Sequence, residues 1–212
     1  MILHGYWRSG AAYRVRIALA LKGVAYSQVN HDLRTGAQRA PDYAALNPAR
    51  LVPALEVDGR ILTQSSAIIE WLDERFPDPP LLPADASGRA AVRALVATIA
   101  GDTHPLHNLR VHAALRERFD ADEAAISAWN RHWIATGLAV VEAAVQRDGA
   151  GFAYGDAPTI ADCFTVPALY SAQRFGVDLA PFPALVAASE RAAALPAVQA
   201  AHPLAQPDAD PQ

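Results

Sequence analysis

A serine hydroxyl stands just before a predicted helix near the start of the chain. Ser9 precedes the helical segment 13–22, which is closed by Gly23. A hydroxyl in this position most often caps the helix by accepting a hydrogen bond from a backbone N–H. The same helix end carries partial positive charge that favours a thiolate, and a serine hydroxyl there can donate one more hydrogen bond to sulfur. Ser9 is therefore a candidate for activating a thiol.

The thiol would have to be supplied by a ligand. The chain contains one cysteine, Cys163, which is far from Ser9 in the sequence and has the character of a small buried hydrophobic residue. A single cysteine also excludes an intramolecular disulfide and a cysteine-based zinc site.

Two further motifs are candidates for holding that ligand. Val52-Pro53 is either an ordinary turn or, if its peptide bond is cis, a place where the backbone of Val52 pairs with an extended peptide. Gln64-Ser65 opens a second predicted helix, where Ser65 is either a plain cap or part of a carboxylate site with the first N–H groups of that helix. Together with Ser9, these motifs describe a site for a small acidic thiol peptide.

Two histidines, His104 and His107, stand three residues apart on a predicted helix. This spacing allows both rings to face one ligand, and Asp102 is nearby. A third ligand with a spacing suited to zinc is missing. We therefore predict no metal site.

The elements that must position these residues follow a thioredoxin-like order. Residues 1–4 and 24–29 are predicted strands on either side of the first helix, and Asp58-Gly59 separates two alternating runs as in a hairpin. A helix over residues 66–72 completes a β-α-β-loop-β-β-α pattern. We therefore predict that residues 1–80 form an α/β thioredoxin-like N-terminal domain.

A proline-rich segment, with prolines at 77, 79, 80 and 83, is typical of a linker between domains. Beyond Gly88 the apolar residues recur at helical spacing. Thr159-Ile160-Ala161-Asp162 predicts the start of a helix, with aspartate in place of the usual glutamate or glutamine. Residues 87–212 are accordingly predicted to form an all-α C-terminal domain.

The composition excludes several classes of protein. The chain has 212 residues, of which 52% are hydrophobic and 19% charged, which is too apolar for a disordered protein. A net charge of −4 gives no sign of a nucleic-acid partner. Residues 1–5 lack the features of a signal peptide, and no apolar stretch is long enough to span a membrane. The expected location is cytoplasmic.

The sequence also resembles the glutathione transferase superfamily, and more narrowly its zeta class, nearly from end to end. Val52-Pro53 and Gln64-Ser65 are typical of the superfamily, whereas residues 15–19 and 174–179 are typical of the class. The other segments that carry the resemblance are Arg8-Ser9-Gly10, Arg14 to Leu19, Ala45 to Pro48, Leu81-Leu82-Pro83, Gly155-Asp156, Thr159 to Asp162, His202-Pro203 and Gln206-Pro207-Asp208.

The resemblance implies a glutathione transferase fold and a glutathione-dependent maleylacetoacetate or maleylpyruvate isomerase, usually a homodimer. In that family glutathione adds across a cis double bond and leaves again, which gives the trans isomer. Ser9 and Arg8 would carry the catalytic step. The implied glutathione-binding residues are Ser9, Gln38, Val52, Pro53, Gln64, Ser65, His104 and Asn108. A small dicarboxylate keto acid needs cations, for which the candidates are Arg8, Arg110 and Arg174.

One segment departs from the pattern of the class. The class typically has Ser-Ser-Cys-Ser after the arginine, whereas this chain has Ser9-Gly10-Ala11-Ala12. The first serine survives, but the substrate side of the pocket is expected to be roomier and less polar. Two alternatives therefore stay open: a general glutathione transferase that conjugates or dehalogenates small electrophiles, and a non-catalytic ligand-binding protein on the same fold.

Overall fold

The computed structural model describes residues 1–210, which divide into two compact units. Among the described residues, the first unit contains Met1–Leu81 and residues 193–210, and the second contains Leu82–Ala192. The sequence predicts domains over residues 1–80 and 87–212, so that the end of the chain is assigned to the second domain. The final segment groups with the first unit instead, since its contacts there include a buried hydrogen bond from Arg16 to a tail carbonyl.

The first unit contains a four-stranded sheet in the order β2-β1-β3-β4. The strands are β1 (Ile2–Gly5), β2 (Ser27–Asn30), β3 (Ala54–Val57) and β4 (Arg60–Thr63). β1 pairs parallel with β2 and antiparallel with β3, and β3 pairs antiparallel with β4. This topology confirms the predicted thioredoxin-like fold.

Local turns fix the ends of these strands. Asp58 and Gly59 have φ values of 50° and 71°, and Val57 pairs directly with Arg60, as in a two-residue hairpin turn whose backbone twist matches that of the strands. The second strand begins three residues later than predicted. The reason is that Val24 still belongs to the helix end, because its N–H donates to the Leu19 carbonyl at 2.9 Å.

The described part of the first unit contains the α-helices α1 (Gly10–Leu21), α2 (Pro41–Leu46), α3 (Ser65–Arg75) and, after the second unit, α9 (Pro196–Ala200). Residues 12–19 of α1 are all buried. This burial includes two arginines, Arg14 and Arg16, whose guanidinium groups must therefore find hydrogen-bond acceptors inside the unit.

The second unit is helical, which confirms the predicted class. Its helices are α4 (Ala86–Ala97), α5 (Leu109–Phe119), α6 (Glu123–Asp148), α7 (Ile160–Arg174) and α8 (Pro183–Ala193), the last of which ends at the unit boundary. The helix-start box is present: the N–H of Thr159 donates to the Asp162 carboxylate at 2.8 Å. Burial raises the pKa of Asp162 to about 6.

A π-helical segment, Thr98–Thr103, connects α4 to the residues around His104. The Thr103 hydroxyl donates to the Thr98 carbonyl at 2.9 Å and so ties the two ends of the segment together. Gly137 of α6 permits this arrangement, because a Cβ added there would lie 2.0 Å from the Thr103 oxygen. π-helical turns inside helices are frequent at functional sites.

Candidate functional site

Ser9 is the N-cap residue of α1. Its backbone is extended, with φ −69° and ψ 116°, and its Oγ accepts a hydrogen bond from the Ala12 N–H at 3.2 Å. The Ser9 N–H donates to the Tyr6 carbonyl at 3.0 Å. The hydroxyl is thus an acceptor in the cap, and its own proton is left for a ligand placed at the helix end.

The Val52-Pro53 peptide bond is cis. The preceding carbonyl, that of Leu51, is held by the Tyr43 hydroxyl at 2.6 Å and by the Asn47 amide at 2.8 Å. The N–H and C=O of Val52 have no hydrogen-bond partner within residues 1–210. They fit the expectation of a backbone edge that is open to an extended peptide.

The helix α3 begins at Ser65 itself, so that Gln64 rather than Ser65 occupies the N-cap position. Gln64 has φ 67° and ψ 116°, a conformation that non-glycine residues rarely adopt and that is often found where a ligand is bound. Ser65 is buried, and its Oγ accepts a hydrogen bond from the Arg14 guanidinium at 3.4 Å. The predicted carboxylate site therefore has a buried cation beneath it.

Gln38 lies in a short 3₁₀ helix, Ala37–Arg39, between β2 and α2. The side chain is 8% exposed, and its Oε1 is buried without a hydrogen-bond partner among the described residues. A buried amide oxygen is costly unless a donor satisfies it. A ligand that brings an N–H or an ammonium group would provide that donor.

Arg8 is half-buried and stacks on its neighbour, with its guanidinium carbon 5.3 Å from the centre of the Trp7 ring. Arg34, and to a smaller extent Arg8, lowers the pKa of the Asp32 carboxyl. Both arginines thus lie close enough to Asp32 to stabilise its negative charge.

In the second unit, His104 and His107 lie in a 3₁₀ helix, His104–His107, rather than in the predicted α-helix. Their ring centres are 5.1 Å apart. Asn108 caps α5, because its side-chain oxygen accepts from the Arg110 N–H at 3.2 Å. The side chain of Arg110 is exposed in the first turn of that helix.

Several of these side chains pack around the Phe175 ring. The Arg174 guanidinium carbon lies 4.6 Å from the centre of the Phe175 ring, and the His107 ring centre lies 5.8 Å from it. His112, which is buried and bonds to Asn130 at 2.7 Å, also faces this ring at 6.5 Å. The second unit therefore brings Arg174, His107 and His104 into one cluster.

Sequence reasoning missed several residues of these sites. Arg14 and Phe175 appear in the family-like segments, but nothing in their local spacing indicates what they contact. Trp129 is half-buried, and its indole N–H donates to the Leu106 carbonyl at 2.8 Å. Trp129 thereby supports the turn that carries the two histidines.

Residues 1–210 contain no cluster of three or more histidine, cysteine, aspartate or glutamate side chains suited to a metal ion. Within the same residues, each helix is too short or too polar to cross a membrane.

Models of protein families match both parts of the chain. Residues 8–75 match the glutathione S-transferase N-terminal domain, and residues 130–196 match the C-terminal domain of the same family. The chain belongs to the glutathione S-transferase family. This membership confirms the family and the fold indicated by the sequence motifs.

Individual members of the transferase family are similar over nearly the whole chain. The maleylpyruvate isomerase of a Ralstonia species is 48% identical over 210 residues, which cover 98% of this chain and 99% of that protein. The holo structure of a maleyl pyruvate isomerase, described as a bacterial zeta-class glutathione S-transferase, is also 48% identical. It covers 99% of this chain and 100% of its own, with a TM-score of 0.96.

A third relative of the transferase family contains ligands. The maleylacetoacetate isomerase of Anaeromyxobacter dehalogenans was crystallised with dicarboxyethyl glutathione and citrate in its active site. It is 49% identical, with a TM-score of 0.88, and the match covers 99% of this chain and 97% of that one. These similarities support the zeta class, which the sequence motifs predict.

Proposed function

We propose that this chain is a glutathione-dependent cis–trans isomerase of a maleyl keto acid, either maleylpyruvate or maleylacetoacetate, in the breakdown of aromatic compounds or tyrosine. The proposal is supported by relatives that share 48% and 49% of its sequence and carry these two activities in their names. The observation on which the proposal rests is the hydrogen bonding of the Ser9 hydroxyl. Because Oγ accepts the capping hydrogen bond from Ala12, the hydroxyl proton is available to a sulfur at the start of α1.

Glutathione fits the groups that line the first unit. Its sulfur would lie at Ser9, and its peptide would pair with the backbone of Val52, which has no partner within the described residues. A carboxylate would bind at Gln64 and Ser65, above the buried Arg14. Gln38 has a buried oxygen that needs a donor. His104 and Asn108 are further candidates for contact with glutathione.

Bound glutathione supplies a thiolate that adds to the cis double bond and leaves again, so that rotation about the intervening single bond gives the trans acid. The residues of the chain act around this step. The Ser9 hydroxyl donates to the sulfur, and the end of α1 adds partial positive charge, which together lower the pKa of the thiol.

The dicarboxylate is bound by arginines. Arg8, next to Ser9, and Arg110 and Arg174 in the second unit are the proposed partners of its two carboxylates, because a guanidinium pairs with a carboxylate through two parallel hydrogen bonds. Phe175 would hold the Arg174 guanidinium flat and ready to pair, since the two lie 4.6 Å apart.

The test is to incubate the protein with glutathione and, separately, maleylpyruvate and maleylacetoacetate, and to follow both isomers and the free thiol by NMR. The proposal expects the cis acid to become the trans acid while the thiol concentration stays constant. Omitting glutathione should stop the reaction. Turnover of neither acid would refute the proposal, and bound glutathione without turnover would favour a non-catalytic binding protein.

A second candidate function is conjugation or dehalogenation of small electrophiles, and the half-exposed Ala11 favours it because the pocket loses a polar side chain there. Ala12 contributes less than the sequence suggests, since it is fully buried and so does not line an open pocket. The same NMR experiment with an alkyl halide decides between the two, because conjugation consumes one thiol for each product and isomerisation consumes none.

We also expect the protein to be a cytoplasmic homodimer, as is usual in this family. Light scattering on the purified protein tests the oligomeric state, and twice the mass of one chain is the expected result. Fractionation of the source cells tests the location.

A further inference from the structure

Three backbone groups just before Arg8 and Ser9 are held by only two side chains. The Trp7 N–H donates to Oδ2 of Asp208 at 2.9 Å. The Trp7 carbonyl accepts from Nη2 of Arg16 at 2.9 Å, and the Tyr6 carbonyl accepts from Nη1 of the same guanidinium at 3.4 Å. Side chains therefore bind both the Trp7 N–H and the two backbone carbonyls of the loop that leads into Ser9.

Arg16 is bound to the tail of the chain, and Asp208, which belongs to that tail, is bound to β2. The Nε of Arg16 donates to the Ala201 carbonyl at 3.0 Å, and Oδ1 of Asp208 accepts from the Gln28 amide at 3.4 Å. Two residues before Asp208, the Gln206 amide donates to the carbonyls of Ala200 and His202, both at 3.0 Å. The Gln206 side chain thus anchors the segment that carries the Asp208 carboxylate.

Burial makes these hydrogen bonds more than surface contacts. Arg16 is 1% exposed, Trp7 is 2% exposed and Gln206 is 9% exposed. A buried hydrogen bond to a charged group is stronger than one between neutral groups, and losing one partner leaves the other buried without compensation. Displacing the tail would leave the Trp7 N–H buried without a hydrogen-bond acceptor.

We propose that Asp208 and Arg16 are positioning residues for Ser9 and Arg8: together they clamp the Tyr6–Trp7 backbone, so that the thiol-activating hydroxyl and the carboxylate-binding guanidinium are held where the reaction needs them. The role of these two residues in the reaction rests on the proposed function. Neither side chain is assigned a contact with glutathione or substrate. A misplacement of about 1 Å in a reacting group is enough to slow catalysis by about 100-fold, so the rigidity of this loop matters for the rate.

The test compares Asp208→Ala, which removes the acceptor, with Asp208→Asn, whose amide oxygen still accepts from the Trp7 N–H. Asp210→Ala is the matched control, because it removes an acid from the same tail whose ion pair with Arg34 is exposed. Four quantities are measured for each variant: the rate of amide hydrogen exchange at Trp7, the pKa of the bound glutathione thiol from its ultraviolet absorbance, and kcat and KM with the maleyl acid.

Asp208→Ala is expected to speed exchange at Trp7, to raise the pKa of the bound thiol and to lower kcat about tenfold, as a small displacement of reacting groups would. Asp208→Asn should restore the exchange rate and kcat to within about threefold of the original and return the thiol pKa to its original value, since the hydrogen bond is kept. Asp210→Ala should match the original protein. An Asp208→Ala protein that melts normally and keeps the original thiol pKa and kcat would overturn the proposal, as would a failure of Asp208→Asn to restore them.

Arg16→Lys gives an independent arm if Asp208→Ala does not fold. Lysine keeps the charge but lacks the planar fork that reaches three carbonyls at once. It should raise the thiol pKa and accelerate exchange at Trp7, and unchanged values would overturn the proposal. Exchange and thiol titration do not depend on isomerisation, so a chain that fails to isomerise the maleyl acids refutes the proposed function while these two measurements still decide whether the clamp exists.

Discussion

Arg14 donates a hydrogen bond from its guanidinium to the hydroxyl oxygen of Ser65 at 3.4 Å, and both residues are buried. This contact joins α1, which starts next to Ser9, to the first residue of α3. Burial lowers the pKa of Arg14 to about 9, so the guanidinium stays charged at neutral pH. A positive charge therefore lies under the predicted carboxylate site, while the proposed thiol site lies at the start of the same helix.

Replacing Arg14 with glutamine should weaken the binding of glutathione about tenfold, because the positive charge is lost while a donor to Ser65 is kept. The rate at saturating glutathione should change little, since the reacting sulfur is bound elsewhere. Calorimetric titration with glutathione measures the affinity. Arg60→Gln, an exposed arginine on β4, is the control. Unchanged affinity in Arg14→Gln would remove Arg14 from the binding site.

Replacing Ser9 with alanine should lower kcat about 10- to 100-fold, because a hydrogen bond to the charged sulfur is lost. The affinity for glutathione should change much less. Ser9→Thr, which keeps the hydroxyl and the cap, is the control. Steady-state kinetics and the absorbance of the bound thiolate are the measurements, and an unaltered kcat in Ser9→Ala would show that the end of α1 alone activates the thiol.

Replacing Arg8, Arg110 or Arg174 with alanine should in each case raise KM for the dicarboxylate about 10-fold or more, because a charge-assisted pair with a carboxylate is lost. The affinity for glutathione serves as the internal comparison for each variant. Arg147→Ala is the control, since this exposed arginine pairs with Asp148 at the end of α6. An arginine whose removal leaves KM unaltered does not bind the substrate.

Replacing Gly137 with alanine should destabilise the protein, although alanine is normally the better helix former by about 1 kcal/mol. The added Cβ would lie 2.0 Å from Oγ1 of Thr103 and would displace the π-helical segment. Urea denaturation of Gly137→Ala, Thr103→Ala and the double variant measures the coupling. In the double variant Thr103→Ala should recover part of the loss, and strictly additive effects would contradict a clash between these two positions.

Acid should destabilise the protein through its buried histidines. Burial lowers the pKa of His112, an effect partly offset by its hydrogen bond to Asn130. The unfolded chain then binds more protons than the folded one below about pH 6.5, so the free energy of unfolding falls as the pH drops from that value towards the folded pKa. Burial lowers the pKa of His31 and of His202 in the same direction.

The measurement compares urea denaturation of the original protein and of His112→Gln at about pH 7.5 and about pH 5.5. The original protein should lose more stability between the two. Asp162, whose pKa is raised to about 6, has the opposite effect: its protonation in acid raises the free energy of unfolding. Because both proteins contain Asp162, its contribution cancels in the difference between them. Equal losses would show that His112 does not contribute.

Features set by neighbouring residues were predictable from the sequence. The Asp58-Gly59 hairpin, the Ser9 cap and the Thr159–Asp162 box each depend on hydrogen bonds that span three residues or fewer, so the residue types alone indicate them. The backbone of Val52 was likewise predicted to be open for the case of a cis bond, which the structure contains.

Features set by distant residues were not predictable. The partner of the Trp7 N–H lies 201 positions away, and that of Arg14 lies 51 positions away. In the sequence, the arginines of α1 resemble solvent-exposed charges on a helix, because their burial depends on residues that are distant in the chain. The π-helical segment before His104 depends on a glycine in another helix, so the sequence predicted an ordinary helix there.

The assignment of the tail to the first unit has a consequence for protein synthesis. A ribosome completes the sheet and α1 early, yet Asp208 emerges only after all the helices of the second unit. A nascent or prematurely terminated chain therefore carries Ser9 on a loop without its clamp. In such a chain the proposed clamp is incomplete, so that full activation of a bound thiol would await the synthesis of Asp208.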